Sequence, residues 1–321
     1  MGLDIVKNAV MGLFALLWAS GALAQSAPVN IMAGPAKSTI LQVGREIGDL
    51  AKSCRMQTRV YESSGALDNL LAVKKRTYTQ FGIIQYDVLE YLHTYEPDVP
   101  DISNALRGIK VAFPLFPQEV HVLALGSIAS LADLEGKIVS IGDRDSGTFL
   151  TATVMLDLLT TAPAEKREMS PADALAALKK GEIDAMFFVD GAPSPLFADP
   201  EIKLAGLHLL PVQNEILEAV YETAVIPQDT YLFMTEDVPA VTVRAIMIAY
   251  DYVPKGRNRY NTANCNMVAR VSHLVREYLD DLRETGHPKW AEVDPAAPVA
   301  DFDVSICAGR GLEQDIPLTC R

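Results

Sequence analysis

Short apolar runs alternate with segments of helical periodicity along most of the chain. Apolar runs bounded by polar turns are typical of strands, and helical segments between them indicate parallel strands in α/β layers. Strands are predicted at 28–33, 57–61, 81–85, 109–113, 119–125, 137–141, 184–189 and 207–212. Helices are predicted at 39–54, 65–75, 148–160 and 171–180.

A long amphipathic helix is predicted near the C-terminal end. Apolar side chains recur at every third or fourth position from Met267 to Leu282, which places them on one helical face. Gly286 and Pro288 follow, and these residue types end helices. We therefore expect a single helix that packs its apolar face on the core.

Two parts of the sequence resemble each other. "LDNLLAVKKRTYTQFGIIQ" (67–85) aligns without gaps on "ADALAALKKGEIDAMFFVD" (172–190), each with a helix, two lysines, a turn and a strand. A second pair, 31–41 and 139–149, has a strand, a Gly-x-x-x-Ser turn and a helix start in common. Chance similarity between βα units is one explanation, and two related halves are the other.

Related halves would form two α/β lobes with a cleft between them. Ligands of α/β sheets bind at the carboxyl ends of the strands, where Gln85 and Asp190 lie in this sequence. Strands near 119–125 and 236–248 would join the lobes as hinges. The predicted domains are lobe 1, with residues 25–123 plus 236–321, and lobe 2, with residues 124–235.

Residues 1–24 are predicted to be a secretory signal peptide. Lys7 is positively charged, the segment 9–24 is apolar, and Ala-Leu-Ala before Gln25 is a cleavage site of the A-x-A type. A retained membrane anchor is the alternative, but the apolar run is shorter than the roughly 20 residues that span a membrane. We expect a periplasmic mature protein without a membrane-spanning segment.

The chain is acidic, with 28 Lys and Arg against 41 Asp and Glu, and a formal net charge of -13. An acidic surface disfavours nucleic acid and anionic lipid as partners. It does not disfavour a small anion, because a local site rather than the net charge recognises such a ligand.

All four cysteines follow the predicted signal peptide, at Cys54, Cys265, Cys307 and Cys320. An even number in an exported protein favours disulfides, and four cysteines allow three connectivities. A local bridge between Cys307 and Cys320 is favoured because they flank a Gly-containing tail, which leaves Cys54 to pair with Cys265. A structural zinc site is disfavoured, since there is no C-x-x-C and no nearby histidine pair.

The sequence contains none of the common catalytic motifs. It has no G-x-S-x-G, P-loop, G-x-G-x-x-G or H-E-x-x-H, and its five histidines are scattered. His121 lies inside an apolar strand, where a role in the core is favoured. We therefore expect a binding protein that uses no cofactor, rather than an enzyme, and the sequence predicts no set of metal ligands.

Small hydroxyl residues precede three predicted helices. The three sets are Ser38 with Thr39, Ser63 with Gly65, and the run from Ser146 to Thr148. Backbone N–H groups and the helix dipole at a helix N-terminus attract anions. Each set is also an ordinary N-cap, but three sets at strand ends favour a site for a carboxylate.

Three segments of the sequence resemble a family of transport proteins. The segments "FGIIQYDV", "ASLADLEGKIVSIGDRDSGT" and "SPADALAALKKGEIDAMFFVDGAPSP" are similar to the TAXI-type solute-receptor subunit of tripartite ATP-independent periplasmic (TRAP) transporters. The resemblance implies a type II periplasmic binding protein fold, whose two α/β lobes close on a ligand. It also implies a TRAP-type permease as partner, and small carboxylates such as glutamate, dicarboxylates or 2-oxoacids as ligands.

The family's binding motifs are matched in part. Gly34 matches the opening loop, in which Lys37 replaces a glycine, and Gly65 matches the next loop. A bulky phenol, Tyr86, replaces a small hydroxyl after the third strand, whereas the run from Ser146 to Thr148 matches fully. These differences bear on the ligand rather than on the fold.

Capture of a small organic anion in an interlobe cleft is the predicted function. An exported enzyme on the same fold and a ligand-sensing subunit of a receptor kinase are the alternatives. Lys37 and Arg144 would add positive charge, although Lys37 also suits a solvated loop and Arg144 lies between two acids. The candidate ligand-binding residues are Gly34, Lys37, Ser38, Thr39, Ser63, Gly65, Gln85, Tyr86, Arg144, Ser146, Gly147, Thr148, Asp190 and Tyr221.

Overall fold

Two long antiparallel strands, β4 (Ile109–Ala124) and β10 (Val238–Tyr250), lie at the centre of a computed structural model of the chain. The structure describes residues 28–75, 79–95, 100–253 and 258–320, so the predicted signal peptide lies outside the described residues. The other strands are β1 (Val29–Met32), β2 (Thr58–Tyr61), β3 (Phe81–Gln85), β5 (Ile138–Ser140), β6 (Glu165–Arg167), β7 (Ala185–Asp190), β8 (His208–Leu209) and β9 (Glu222–Ile226). The helices are α1 (Thr39–Ser53), α2 (Ala66–Lys75), α3 (Tyr86–Tyr95), α4 (Pro100–Leu106), α5 (Gly147–Leu158), α6 (Pro171–Lys179), α7 (Glu201–Leu204), α8 (Glu215–Glu218), α9 (Arg259–Glu277), α10 (Leu279–Thr285) and α11 (Ile306–Glu313).

The order of strands in the sheet is symmetric about the two central strands. It runs β2-β1-β3-β10-β4-β7-β5-β6, with β8 against β4 and β9 against β10. Strand β1 pairs in parallel with β2 and β3, as β5 does with β6 and β7. The sheet order therefore agrees with the resemblance between the two halves of the sequence, and the chain has the predicted α/β fold with two lobes.

The central strands pass through both lobes. β10 pairs with β4 from Tyr250 to Thr242, after which β10 pairs with β9 while β4 pairs with β7 and β8. The predicted hinge strands coincide with these segments. The prediction of two strands at 109–113 and 119–125 was wrong, because the register shifts near Pro114 and Pro117 let one strand continue through both prolines.

Two other element boundaries also differ from the predictions. The predicted C-terminal helix is broken at Tyr278, whose φ of -106° and ψ of 24° are not helical, so α9 and α10 are separate. The predicted strand at 207–212 is paired only over His208–Leu209, where it meets the end of β4. In both cases the apolar pattern extends beyond the regular element, and single backbone hydrogen bonds continue past its end, such as Leu210 N to Val122 O at 2.8 Å and Leu282 N to Tyr278 O at 3.0 Å.

Apolar residues cover both faces of the lobe 1 sheet. Ile83 packs with α1 and α9 on one face, and its neighbour Ile84 packs with α2 and α3 on the other. Adjacent strand residues point to opposite faces, so a strand buried on both sides is a continuous apolar run. Full burial of each such side chain contributes roughly 1.5–3 kcal/mol. Among the described residues, no helix is long and apolar enough to cross a membrane.

The four cysteines form two disulfides, but the predicted pairing was wrong. Cys54 is bonded to Cys320, and Cys265 is bonded to Cys307. The tail between Cys307 and Cys320 contains α11, which packs along α9 and holds Cys307 against Cys265. The chain after α11 then continues to the C-terminal end of α1, where Cys54 lies.

We expect peptide mapping under non-reducing conditions to find Cys54 linked to Cys320 and Cys265 linked to Cys307. The double variant C265S/C307S should lose about 2–4 kcal/mol of unfolding free energy in urea denaturation, because the bridge restricts the unfolded chain. A peptide that joins Cys307 to Cys320 would contradict this connectivity.

Candidate functional site

A narrow cleft separates the two lobes at the carboxyl ends of their strands. Eight of the predicted residues line it, namely Gly34, Ser38, Gly65, Gln85, Ser146, Gly147, Thr148 and Asp190. The remaining cavity is only about 20 Å³, enough for one water molecule. The lobes are therefore closed on one another, and a solute of several heavy atoms enters only when they part.

Helices α1 and α5 both direct their N-termini into this cleft. Ser38 Oγ accepts from Leu41 N at 3.1 Å, and Ser146 Oγ accepts from Phe149 N at 3.1 Å. Each hydroxyl also donates to a carbonyl of its own loop. The two serines are thus N-caps, and the remaining ligand-binding groups of each helix end are the N–H groups of its first turn.

The N-terminus of α1 is occupied by the carboxylate of Asp190, which ends β7 of the other lobe. Thr39 N donates to both carboxylate oxygens at 3.0 and 2.9 Å, and Ser194 Oγ donates to Oδ2 at 2.7 Å. Thr39 Oγ1 donates to Gly191 O at 2.6 Å. Burial raises the pKa of Asp190 to about 7, although these hydrogen bonds act in the opposite direction. The chain itself supplies the anion at this helix end.

The N-terminus of α5 meets the neutral amide of Gln85, which ends β3. A Cβ atom on Gly147 would lie 2.1 Å from Gln85 Oε1, so this approach requires glycine. Beside it, Leu67 N of lobe 1 donates to Asp145 O of lobe 2 at 3.1 Å. Among the described residues, no protein acceptor is hydrogen bonded to the N–H groups of Gly147 and Thr148. The two helix ends therefore differ in charge compensation.

The hydroxyl of Thr148 has a structural partner. Its Oγ1 accepts from Val189 N at 3.1 Å, which holds the first turn of α5 against β7 within lobe 2. Gly142 packs closely against Thr148 and has a φ of 90°. A Cβ atom on Gly142 would lie 2.9 Å from Thr148 Cβ. The tight turn before α5 and the position of Thr148 thus depend on each other.

Asp87 lies at the contact between the lobes, outside the cleft lining, and is not among the predicted candidates. Thr151 Oγ1 of α5 donates to Asp87 Oδ2 at 2.6 Å, which joins the lobes, while Asp87 Oδ1 is buried without a partner. Burial raises the pKa of Asp87 to about 6. Tyr221 lies close by, and its pKa is raised first by burial and then by the charges of Asp87 and Glu90. The Gln-Tyr-Asp element after β3 was the signal in the sequence.

The two predicted cations lie outside the cleft lining. Arg144 Nε and Nη2 donate to the two carboxylate oxygens of Glu168 at 2.8 Å, and 72% of the arginine side chain is exposed. Lys37 is exposed in the loop before α1, with a φ of 60°. Their roles as ligand contacts stay predictions.

Three further candidates are not among the residues that line the cleft. The ring of Tyr86 packs edge-on against Phe302, with centroids 5.6 Å apart. Tyr221 belongs to the apolar core of lobe 2. Ser63 N donates to Gly34 O at 3.1 Å, and the Ser63 hydroxyl is buried without a partner. Their contact with a solute likewise stays a prediction.

Among the described residues, His273, Glu277 and Asp315 could together hold a metal ion. However, Arg276 Nη2 lies 3.2 Å from His273 Nδ1 and 2.8 Å from Asp315 Oδ1. The guanidinium therefore already supplies the positive charge that a metal ion would bring to these groups. The arrangement therefore fits an arginine-centred surface network better than a metal centre.

The variant Thr148→Val should lower the unfolding free energy by about 1–3 kcal/mol, because the buried N–H of Val189 loses its acceptor. Thr148→Ser keeps the hydroxyl and should cost about 1 kcal/mol or less. Urea denaturation of both variants measures the difference. Equal losses for valine and serine would show that the Val189 hydrogen bond contributes nothing.

The two-lobed architecture is similar to that of known proteins. A model of the NMT1-like family matches residues 31–258. The periplasmic binding protein BugD has a TM-score of 0.51 at 12% identity, over 83% of this chain and 85% of that chain.

Two further solved structures are similar at lower scores. The GluR0 ligand-binding core from Nostoc punctiforme, in complex with L-glutamate, has a TM-score of 0.43 at 17% identity, over 79% of this chain and 100% of that chain. The alkanesulfonate-binding protein SsuA from Xanthomonas axonopodis pv. citri, bound to MOPS, has a TM-score of 0.47 at 15% identity, over 86% of this chain and 88% of that chain. Identities this low show the fold alone. Because the family match covers more than half of the sequence, the chain belongs to the NMT1-like family, and its fold is that of the two-lobed periplasmic binding proteins.

Proposed function

We propose that the protein is a periplasmic solute-binding protein that captures a small organic anion at the N-terminus of α5. This proposal is supported by the difference between the groups that meet the N-termini of α1 and α5 in the cleft. Among the described residues that line the cleft, the carboxyl group of Asp190 already accepts from the N-terminus of α1, whereas the N-terminus of α5 meets the neutral amide of Gln85. A carboxylate that accepts from Gly147 N and Thr148 N would satisfy the N–H groups at the N-terminus of α5, as Asp190 does at α1.

The lining of the cleft favours a solute with one carboxylate. Asp190 is the only ionisable side chain among the described residues of the lining. No lysine or arginine of that lining could therefore pair with a second negative group of the solute. A second carboxylate would instead meet a like charge. The rest of the lining is mostly small or apolar, as at Ala33, Ile83 and Phe188. Among the predicted ligand classes, a short 2-oxoacid or neutral amino acid fits better than glutamate or a dicarboxylate.

Capture requires the lobes to part and close again. Parting withdraws Gln85 from Gly147 and opens the first turn of α5 to solvent. Closing returns Gln85 and the loop at Ser64 and Gly65 over the bound solute. The central strands β4 and β10 connect the lobes and would absorb the change in angle, as hinges do in periplasmic binding proteins.

Delivery to a TRAP-type permease is the remaining part of the proposal. It is supported by the resemblance of three sequence segments to TAXI-type receptors and by the signal-like segment at 1–24. A periplasmic receptor would carry its solute to the membrane subunits and release it there as the lobes open.

A thermal-shift screen of the mature protein should find stabilisation by short monocarboxylates. A solute at 100 times its Kd adds about 2.7 kcal/mol to the stability of the folded state. Glutamate and dicarboxylates should stabilise less, and uncharged amides of the active solutes should have no effect. Stabilisation by neutral or cationic solutes alone would overturn the proposed anion site.

Gln85→Glu tests the location of the site. The new carboxylate would lie at the N-terminus of α5, as Asp190 lies at α1, and should weaken monocarboxylate binding about tenfold or more through like charge. Gln57→Glu adds the same charge at an exposed position and is the matched control. Titration calorimetry measures both affinities, and an unchanged Kd in the Gln85 variant would remove the solute from the α5 end.

Vesicles that contain TRAP-type membrane subunits from the same genome should accumulate the solute only when this protein is added. The Gln85→Glu variant should reduce that uptake in proportion to its loss of affinity. Uptake that proceeds equally without the protein would separate the binding function from this transporter.

A further inference from the structure

Each lobe places one aspartate carboxylate against a helix of the other lobe. Asp190, at the end of β7 in lobe 2, accepts from Thr39 N of α1 in lobe 1. Asp87, on α3 in lobe 1, accepts from Thr151 Oγ1 of α5 in lobe 2 at 2.6 Å. Both contacts exist only while the lobes are together, so both carboxylates change their surroundings when the cleft opens.

Cations do not compensate Asp190 in the closed cleft. Among the described residues it forms no ion pair, and the groups that face its loop are neutral or already paired. The phenol of Tyr231 is uncharged. Lys289 Nζ forms ion pairs with Glu119 at 2.6 Å and with Glu292 at 2.8 Å. Of the facing histidines, burial lowers the pKa of His121 to about 4 and also lowers that of His287.

Asp87 is likewise without a cationic partner. Among the described residues it has no ion pair, and its Oδ1 is buried and accepts no hydrogen bond. The groups that face it are Glu90 on its own helix and the phenol of Tyr221 from lobe 2. Arg244 on the neighbouring strand β10 lies 3.6 Å from Glu222 on β9, to which it is paired. A buried carboxylate oxygen without a donor is suited to carry a proton rather than a charge.

We propose that closure of the cleft takes up protons at Asp87 and Asp190, so that protons are a second ligand of the closed state. With the lobes apart, both carboxylates are hydrated and ionised. With the lobes together, each is enclosed by the opposite lobe without a cation, and this burial favours the protonated form. At Asp190 burial outweighs the hydrogen bonds from Thr39 N and Ser194 Oγ, which favour the carboxylate. Acidification of the surroundings therefore strengthens closure and retention of the solute.

The direction of the pH dependence follows from the pKa of each carboxyl in the two states. Burial raises the pKa of Asp190 to about 7 and that of Asp87 to about 6, from an ordinary 3.8. Closure therefore strengthens as the pH falls through about 7 and about 6, as the two carboxyls take up protons. Each proton taken up changes the closure constant by at most tenfold per pH unit, and the effect is complete below the ordinary pKa.

Small-angle X-ray scattering of the solute-free mature protein between pH 8 and pH 4.5 tests this coupling. The radius of gyration should decrease as the pH falls, because the closed population grows. The double variant D87N/D190N carries uncharged isosteres of the protonated acids and should remain compact at every pH. D190N alone and D87N alone should each remove part of the response.

Asp184→Asn is the matched control. Asp184 Oδ2 accepts from Ile138 N at 2.8 Å, but both residues belong to lobe 2, so this variant should keep the wild-type response. Near-UV circular dichroism verifies that each variant is folded. A constant radius in the wild type, or an unchanged response in D87N/D190N, would overturn the proposal. No solute is added, so the outcome is independent of whether the protein binds monocarboxylates.

Discussion

The antiparallel pairing of β4 with β10 is the constraint on which the rest of the structure depends. Because both strands pass through the two lobes, the parallel strands of each half are added on opposite sides of one central pair. Strands β3 and β7 flank that pair, and their carboxyl ends point into the same cleft. The positions of Gln85 and Asp190 follow from this arrangement, and so does the meeting of α1 and α5 across the cleft.

The symmetric scaffold carries an asymmetric pair of contacts. At equivalent positions of the two halves, one strand ends in a carboxylate and the other in an amide, and each side chain contacts the helix of the opposite lobe. The carboxylate completes one helix end within the protein. The amide leaves the other end without a carboxylate, so under the proposed function a single difference between aspartate and glutamine would direct the solute to one side of the cleft.

The C-terminal segment fixes the geometry behind the cleft. Lys289 and Glu119 form a buried ion pair, and Glu119 Oε2 accepts from Ala192 N at 2.8 Å in the loop that follows Asp190. Trp290 Nε1 donates to Glu46 Oε2 of α1 at 2.6 Å. A buried pair of this kind recovers its desolvation cost only when further hydrogen bonds complete it. Here those bonds connect α1, the central strand and the loop after β7, which places Asp190 opposite Thr39.

The sequence by itself determined the helices and strands that flank the cleft, the serine N-caps and the place of the cleft. Each depends on residues close together in the chain, such as the apolar run of β3 that ends at Gln85, or Ser146 before α5. Only the tertiary structure decided the contacts between distant segments. The packing of α11 on α9 selected the disulfide partners, Arg144 pairs with Glu168, and the contact between the lobes buries Asp87 against Thr151. These outcomes depend on burial and on competition between partners far apart in sequence, which local patterns do not encode.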